Sequence, residues 1–176
     1  MDKKKAAVEL IKKCEGRKLV AYKCSAGKWT IGFGNTKRPS GVPIKPGDTC
    51  TAEEAETWLK SHLETDVYPF VDKLCKGYDV PDSVWSALCS FAYNAGVGHF
   101  TKLSFTKPVL TGDWGTWEGT ETLIKGRIDY KTTKATGLCA TFVKYDKETV
   151  KGKLEFNQGL HNRRVAEIKF MLKGLG

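Results

Sequence analysis

With 176 residues, 40% of them hydrophobic and 11% aromatic, the chain has enough apolar material for one packed core and is expected to form a single domain. A formal net charge of +9 points to an anionic partner such as nucleic acid, lipid headgroups or an acidic polysaccharide. No apolar run is long enough to span a bilayer or to serve as a signal-peptide core, so the expectation is a chain made in a cytoplasm and held there until released.

Asp2 is placed to cap a first helix in which Ala7, Ile11 and Cys14 share a face and which Gly16 ends, leaving Glu15 in the last turn. A strand-like run from Leu19 to Lys23 follows. The stretch "KWTIGFGNT" then alternates, so that Trp29, Ile31 and Phe33 point one way and Thr30, Gly32 and Gly34 the other. The first face is core material. The second is almost bare backbone, which suits either the close approach of a ligand or a bulge that needs none.

After the loop "KRPSGVPIKPGD", Thr51 and Glu54 form a capping-box signature that opens a long helix over about 52–75. Its apolar positions Ala55, Leu59, Leu63, Val67, Phe70 and Leu74 keep helical spacing through Pro69, where a kink or restart is expected. A further helix carries Val84, Leu88 and Phe91 on one stripe and ends at "NAGVG". From Trp114 to Lys153 the chain is polar and dotted with glycine, and some helical character is expected there. A last helix, roughly Gly159 to Lys173, combines Leu160, Val165, Ile168 and Leu172 with Arg163, Arg164 and Lys169.

The six cysteines, at 14, 24, 50, 75, 89 and 139, form no C-x-x-C pair, and the three histidines are scattered. No metal or cofactor is expected, and the thiols read as reduced, partly buried and apolar in behaviour.

The stretch "EGRKLVAYKCSAGKWTIGFGNT" resembles the N-terminal active-site signature of phage-type lysozymes, with Glu15, Cys24 and Thr30 in the spacing E-x8-C-x5-T. "ALCSFAYNAGVGHF" and "NQGLHNRRVAE" are similar to two further blocks of that family, in the same order, and the likeness is weakest over 114–153. The resemblance implies an α+β, lysozyme-like fold. A small β-hairpin lobe (about 15–58) and a larger helical lobe (about 80–176 together with the first helix, 2–14) would be joined by the long helix. It also implies a muramidase cutting the β-1,4 bond between N-acetylmuramic acid and N-acetylglucosamine of peptidoglycan, with the glutamate as proton donor.

The chemistry of that bond agrees. A glycosidic oxygen is a poor leaving group and needs an acid to protonate it as the bond breaks. Such an acid has to stay protonated near neutral pH. The negative end of a helix macrodipole and partial burial both disfavour an ionised Glu15, whereas a helix-end glutamate taken alone is a solvated surface charge. Where well-known relatives carry Asp, this chain carries Cys24. A thiol can help water attack, attack the sugar itself or play a structural part only. Thr30 has a hydroxyl suited to holding a water or a sugar hydroxyl, beside its ordinary strand propensity. Gly32 and Gly34 would make room for a glycan.

Asn94, Asn157 and Gln158 lie in the matched blocks as candidates for recognising N-acetyl groups, Asn94 serving equally as a helix C-cap. Arg163 and Arg164 read as a solvated face or an ion pair with Glu167, or else as an attraction for wall carboxylates and phosphates. The missing second carboxylate keeps a lytic transglycosylase open as an alternative. A non-catalytic basic module ranks below both, because no basic stripe interleaved with aromatics is present and no nucleic-acid partner is expected. The resemblance further implies a monomer without stable membrane insertion, reaching the periplasmic wall once a holin opens the inner membrane.

Overall fold

The computed structural model describes residues 2–24 and 27–176, and in them seven α-helices accompany three two-stranded antiparallel sheets. Helix α1 (Lys3–Glu15) starts where the Asp2 carboxylate accepts from the backbone N–H groups of Lys4 (3.0 Å) and Lys5 (3.3 Å), and ends at Gly16 with φ 66°. It buries Ala6, Ala7, Leu10 and Ile11, so Glu15 emerges at the rim of the core.

Strands β1 (Lys18–Lys23) and β2 (Trp29–Gly32) form the first hairpin, with Tyr22 opposite Thr30 and a register shift between Lys18 and Tyr22. Ile31 and Phe33 are buried as expected. The opposite face is not bare, however. Thr30 is buried, and a side chain added at Gly32 would meet Asn35 Oδ1 at 3.3 Å and Ala55 Cβ at 3.4 Å. The alternation stops there because Ile31 and Asn35 exchange backbone hydrogen bonds at 2.9 Å each, turning the chain back onto the next helix.

Helix α2 (Ala52–His62) begins with the expected capping box: Thr51 Oγ1 accepts from Glu54 N at 3.0 Å, and Glu54 Oε2 accepts from Thr51 N at 2.8 Å. It runs through a π turn (Leu63–Val67) into α3 (Tyr68–Cys75). The wide turn ends two residues before Pro69, which has no N–H to give and whose ring would crowd the carbonyl four residues earlier.

Helix α4 (Asp82–Ala95) is the central element, with every residue from Ser83 to Ala92 buried. Its serines avoid the cost of unpaired burial: Ser83 donates to Met171 O (3.0 Å), Ser86 to Asp82 O (2.7 Å), and Ser90 to Glu167 Oε1 (2.7 Å). A 3-10 turn (Val97–Thr101) leads to α5 (Leu103–Thr111). Around Phe91 gather the rings of Phe100, Phe105, Phe142 and Tyr145, at centroid distances from 4.7 to 6.2 Å.

The stretch 114–153, where some helical character is expected, holds one short helix and is otherwise mostly extended. It forms β3 (Trp117–Ile124) and β4 (Arg127–Ala135), a short helix α6 (Gly137–Val143), and β5 (Lys147–Val150), which pairs with β6 (Lys153–Phe156). Both hairpins close on a Lys-Gly pair, Lys125-Gly126 and Lys151-Gly152, with positive φ at all four residues. That two-residue geometry matches the twist of antiparallel strands. The β-branched and aromatic content of "TETLI" and "RIDYKTT" outweighs the helical reading. Helix α7 (Gln158–Lys173) packs against α4 and completes the body.

Candidate active site

Three elements converge on Glu15, whose side chain is 18% exposed. The end of α1 delivers the carboxylate. Helix α7 supplies Arg163, whose guanidinium donates to Glu15 Oε1. From the turn after β2 comes Gly34, with φ 97°; a Cβ there would lie 3.2 Å from Glu15 Oε2, so the missing side chain leaves the acid its space.

Arg163 is itself fixed from several sides, its Nε donating to Glu167 Oε1 at 3.1 Å and a terminal nitrogen to Ser90 O at 3.1 Å. Burial works against its charge, but Glu167 and Glu15 outweigh burial and raise its pKa. Arg164 donates to Glu167 Oε1 and to Asn94 Oδ1, each at 3.0 Å, and lies 4.8 Å over the Phe91 ring. Its pKa is lowered by burial, with Glu167 opposing. The arginines are therefore not a solvated face; of the pairings read from sequence, the one with Glu167 is realised. Glu15, Glu167, Asn94 and Ser90 answer part of this buried charge, while Arg164 Nε and Nη1 and Glu167 Oε2 have no hydrogen-bond partner among the described residues.

Tyr22 and Tyr93 flank the acid. Burial raises the Tyr22 phenol first, and the neighbouring Glu15 and Cys24 side chains raise it further. Tyr93 is likewise raised by burial and then by Glu15. Its hydroxyl donates to Phe33 O at 2.7 Å, tying α4 to the first hairpin. Cys24 follows directly on β1 and is half-buried, with its backbone N–H donating to Lys28 O at 2.9 Å. The Thr30 hydroxyl donates to the same carbonyl at 3.1 Å, which leaves its lone pairs for another donor.

A groove of about 570 Å³ opens beside the acid, between residues 34–41 and α2, with Gly34 and Tyr93 at its inner end. Its far wall is Trp58, Ser61, His62, Thr65 and Asp66. His62 pairs with Asp66 at 3.2 Å and meets Tyr93 edge-on at 5.1 Å, while Arg38 covers the Trp58 ring at 5.3 Å.

Gly34 thus lies in the groove, but Gly32 faces Ala55 and does not line it. Asn94 serves Arg164. Asn157 is the N-cap of α7, accepting from Leu160 N at 2.9 Å, and Gln158 donates to Tyr130 O at 2.9 Å; neither lines this groove. Sequence reasoning missed the partnership of Arg163 with Glu15, and also Tyr93 and the α2 wall. The first joins residues 148 positions apart, and no local pattern announces it. Tyr93 sat in a matched block without a role assigned to it.

The fold recurs in known proteins. The endolysin from Escherichia coli O157:H7 phage FAHEc1 superposes with a TM-score of 0.74 and 31% identity, covering 98% of this chain and 94% of that one. The muramidase domain of SpmX from Asticaccaulis excentricus shares the fold, with a TM-score of 0.70 and 24% identity over 95% of each chain. An endolysin of Acyrthosiphon pisum secondary endosymbiont phage 1 is 32% identical over 160 residues, which is 90% of this chain and 89% of that protein. A mixed fold with these likenesses places the molecule among the lysozyme-like glycoside hydrolases. The phage lysozyme family model matches residues 12–167, and the chain belongs to that family: it is a lysozyme acting in lysis of the bacterial cell wall.

Proposed function

We propose that the chain is a phage endolysin hydrolysing the β-1,4 bond between N-acetylmuramic acid and N-acetylglucosamine, with Glu15 as the proton donor. The supporting observation is that Glu15, held by Arg163, lies against Gly34, a residue that lines the groove and whose missing side chain leaves the carboxylate its space. In this reading the glycan lies along residues 34–41 and α2. Glu15 passes its proton to the bridging oxygen as positive charge develops on the sugar ring. Arg163, anchored by Glu167 and Ser90, positions the carboxyl group. Thr30 accepts a hydrogen bond from the attacking water, and Cys24 either assists that water or takes the sugar carbon itself.

The route to the wall follows the same reading: synthesis in the host cytoplasm, then access once a holin opens the inner membrane. Cells expressing the chain alone should therefore stay turbid until chloroform permeabilises them and then clear. The Glu15→Gln variant should fold normally and lose at least about 1,000-fold of that clearing rate. Clearing retained by Glu15→Gln would overturn the assignment. Product ends are read by mass spectrometry, where 1,6-anhydro ends would replace hydrolysis with transglycosylation. For Cys24, Cys24→Asp and Cys24→Ser are compared on purified wall with the first-formed anomer recorded. If Cys24 only assists water, Cys24→Asp retains activity with the same anomer; if the thiol attacks, Cys24→Ser loses turnover and Cys24→Asp changes its rate or outcome.

A further inference from the structure

Residues between Tyr130 and His161, none of which lines the first groove, build a second concavity. A groove of about 510 Å³ lies between β4, the end of β6 and the start of α7, lined among others by Tyr130, Lys131, Thr132, Phe156, Gln158 and His161. None of these six residues lines the first groove.

The floor is a fixed polar chain. His161, 5% exposed, has Nδ1 at 3.0 Å from Asp146 Oδ2 and Nε2 at 3.1 Å from Thr132 Oγ1. Thr132 in turn accepts from Trp117 Nε1 at 2.8 Å. This chain locks β3, β4, α7 and the segment before β5 together, so the groove is shaped before any ligand arrives. Gln158 has its nitrogen committed to Tyr130 O (2.9 Å) and Asn162 Oδ1 (2.8 Å), while no donor reaches its Oε1 among the described residues. On the rim, the Phe156 ring is 55% exposed and leans on His161 at 5.5 Å, an apolar plate beside the polar floor. Lys131, an exposed cation, also lines the hollow.

An aromatic plate, an unused amide oxygen and a cation around a preformed hollow suit a ring with an apolar face, an N–H and a carboxylate. We propose that this groove is a second binding site for the glycan strand of the wall, taking an N-acetylated amino sugar that carries a carboxylate. The pyranose face rests on Phe156, the acetamido N–H donates to Gln158 Oε1, and the lactyl or stem-peptide carboxylate meets Lys131. The choice of ligand rests on the muramidase reading above. A second hold on an insoluble polymer keeps the catalytic groove near fresh bonds through effective concentration.

The test uses the full chain with Glu15→Gln, so that the glycan is not consumed, and titrates it with a soluble tetrasaccharide of alternating N-acetylglucosamine and N-acetylmuramic acid while amide resonances are followed. Two sets of shifts are expected, one at 34–41 and 58–66 and one at 130–132 and 156–161. Adding Phe156→Ala, at a half-exposed position, should weaken the second set at least 10-fold and leave the first in place. Lys131→Glu should weaken the second set for this ligand but not for chitotetraose, which has no carboxylate. Absence of the second set alone, or its persistence at unchanged affinity in Phe156→Ala, overturns the second site. Absence of both sets overturns the muramidase reading instead.

Discussion

Glu15 and Glu167 share one arginine, and that sharing sets what each residue can tolerate. Glu167 is fully buried and accepts from Arg163, Arg164 and Ser90 through a single oxygen. Removing a partner from such a cluster leaves buried positive charge unanswered, which costs far more than the pair itself contributes. Glu167→Ala should therefore destabilise the protein by about 3–5 kcal/mol, measured by urea unfolding. A loss below about 1 kcal/mol would mean that water or a neighbour replaces the carboxylate. At this scale the sequence named both residues, yet not their connection to Glu15, because the link runs across the fold. Thr30 and Gly32 show the same limit, since alternation could not say that Thr30 is buried or that Ala55 and Asn35 cover Gly32.

Elements were legible wherever a local signal was strong. The Thr51 and Glu54 capping box, the Asp2 cap and the disturbance at Pro69 all stand where the residues put them. Thr51→Ala removes one half of a reciprocal pair and should lower stability by about 1 kcal/mol, seen as a lower urea midpoint with an unchanged slope. An unaltered midpoint would show that α2 is held by packing alone. The two Lys-Gly hairpins were misread for a physical reason. Their strands are largely exposed, with Leu123 at 73% and Leu154 at 72%, so they lack the alternation of apolar and polar residues by which a half-buried strand is recognised.

Over the whole molecule, the aromatic core is expected to contribute acid sensitivity through His99. His99 packs against Phe91 and Tyr145, with Nδ1 buried and unpartnered among the described residues. Burial lowers its pKa below the ordinary 6.5, Lys102 lowers it further, and the Ala95 backbone opposes both. The unfolded chain thus binds this proton more readily than the folded one. The stability linked to neutral His99 is full above about pH 6.5 and declines as pH falls toward the lower folded-state value. Thermal melting between pH 7.5 and 5.5 should show the decline, and His99→Phe should reduce the slope; an unchanged slope would place the sensitivity elsewhere. Burial keeps these thiols from ionising: half-buried Cys14 and Cys75 are pushed up to about 11 and buried Cys139 up to about 12, with Arg163 partly opposing the rise at Cys14.

Sequence alone determined the caps of α1 and α2, the stop of α4, the first hairpin and the spacing of Glu15, Cys24 and Thr30, because caps, glycine stops and periodicity act over a few residues. Only the tertiary structure decided that Arg163 holds Glu15, that Tyr93 and α2 wall the groove, and that residues 114–153 form hairpins around a second hollow. Those outcomes depend on which distant side chains neutralise or cover one another, and that balance exists only once the chain has closed on itself.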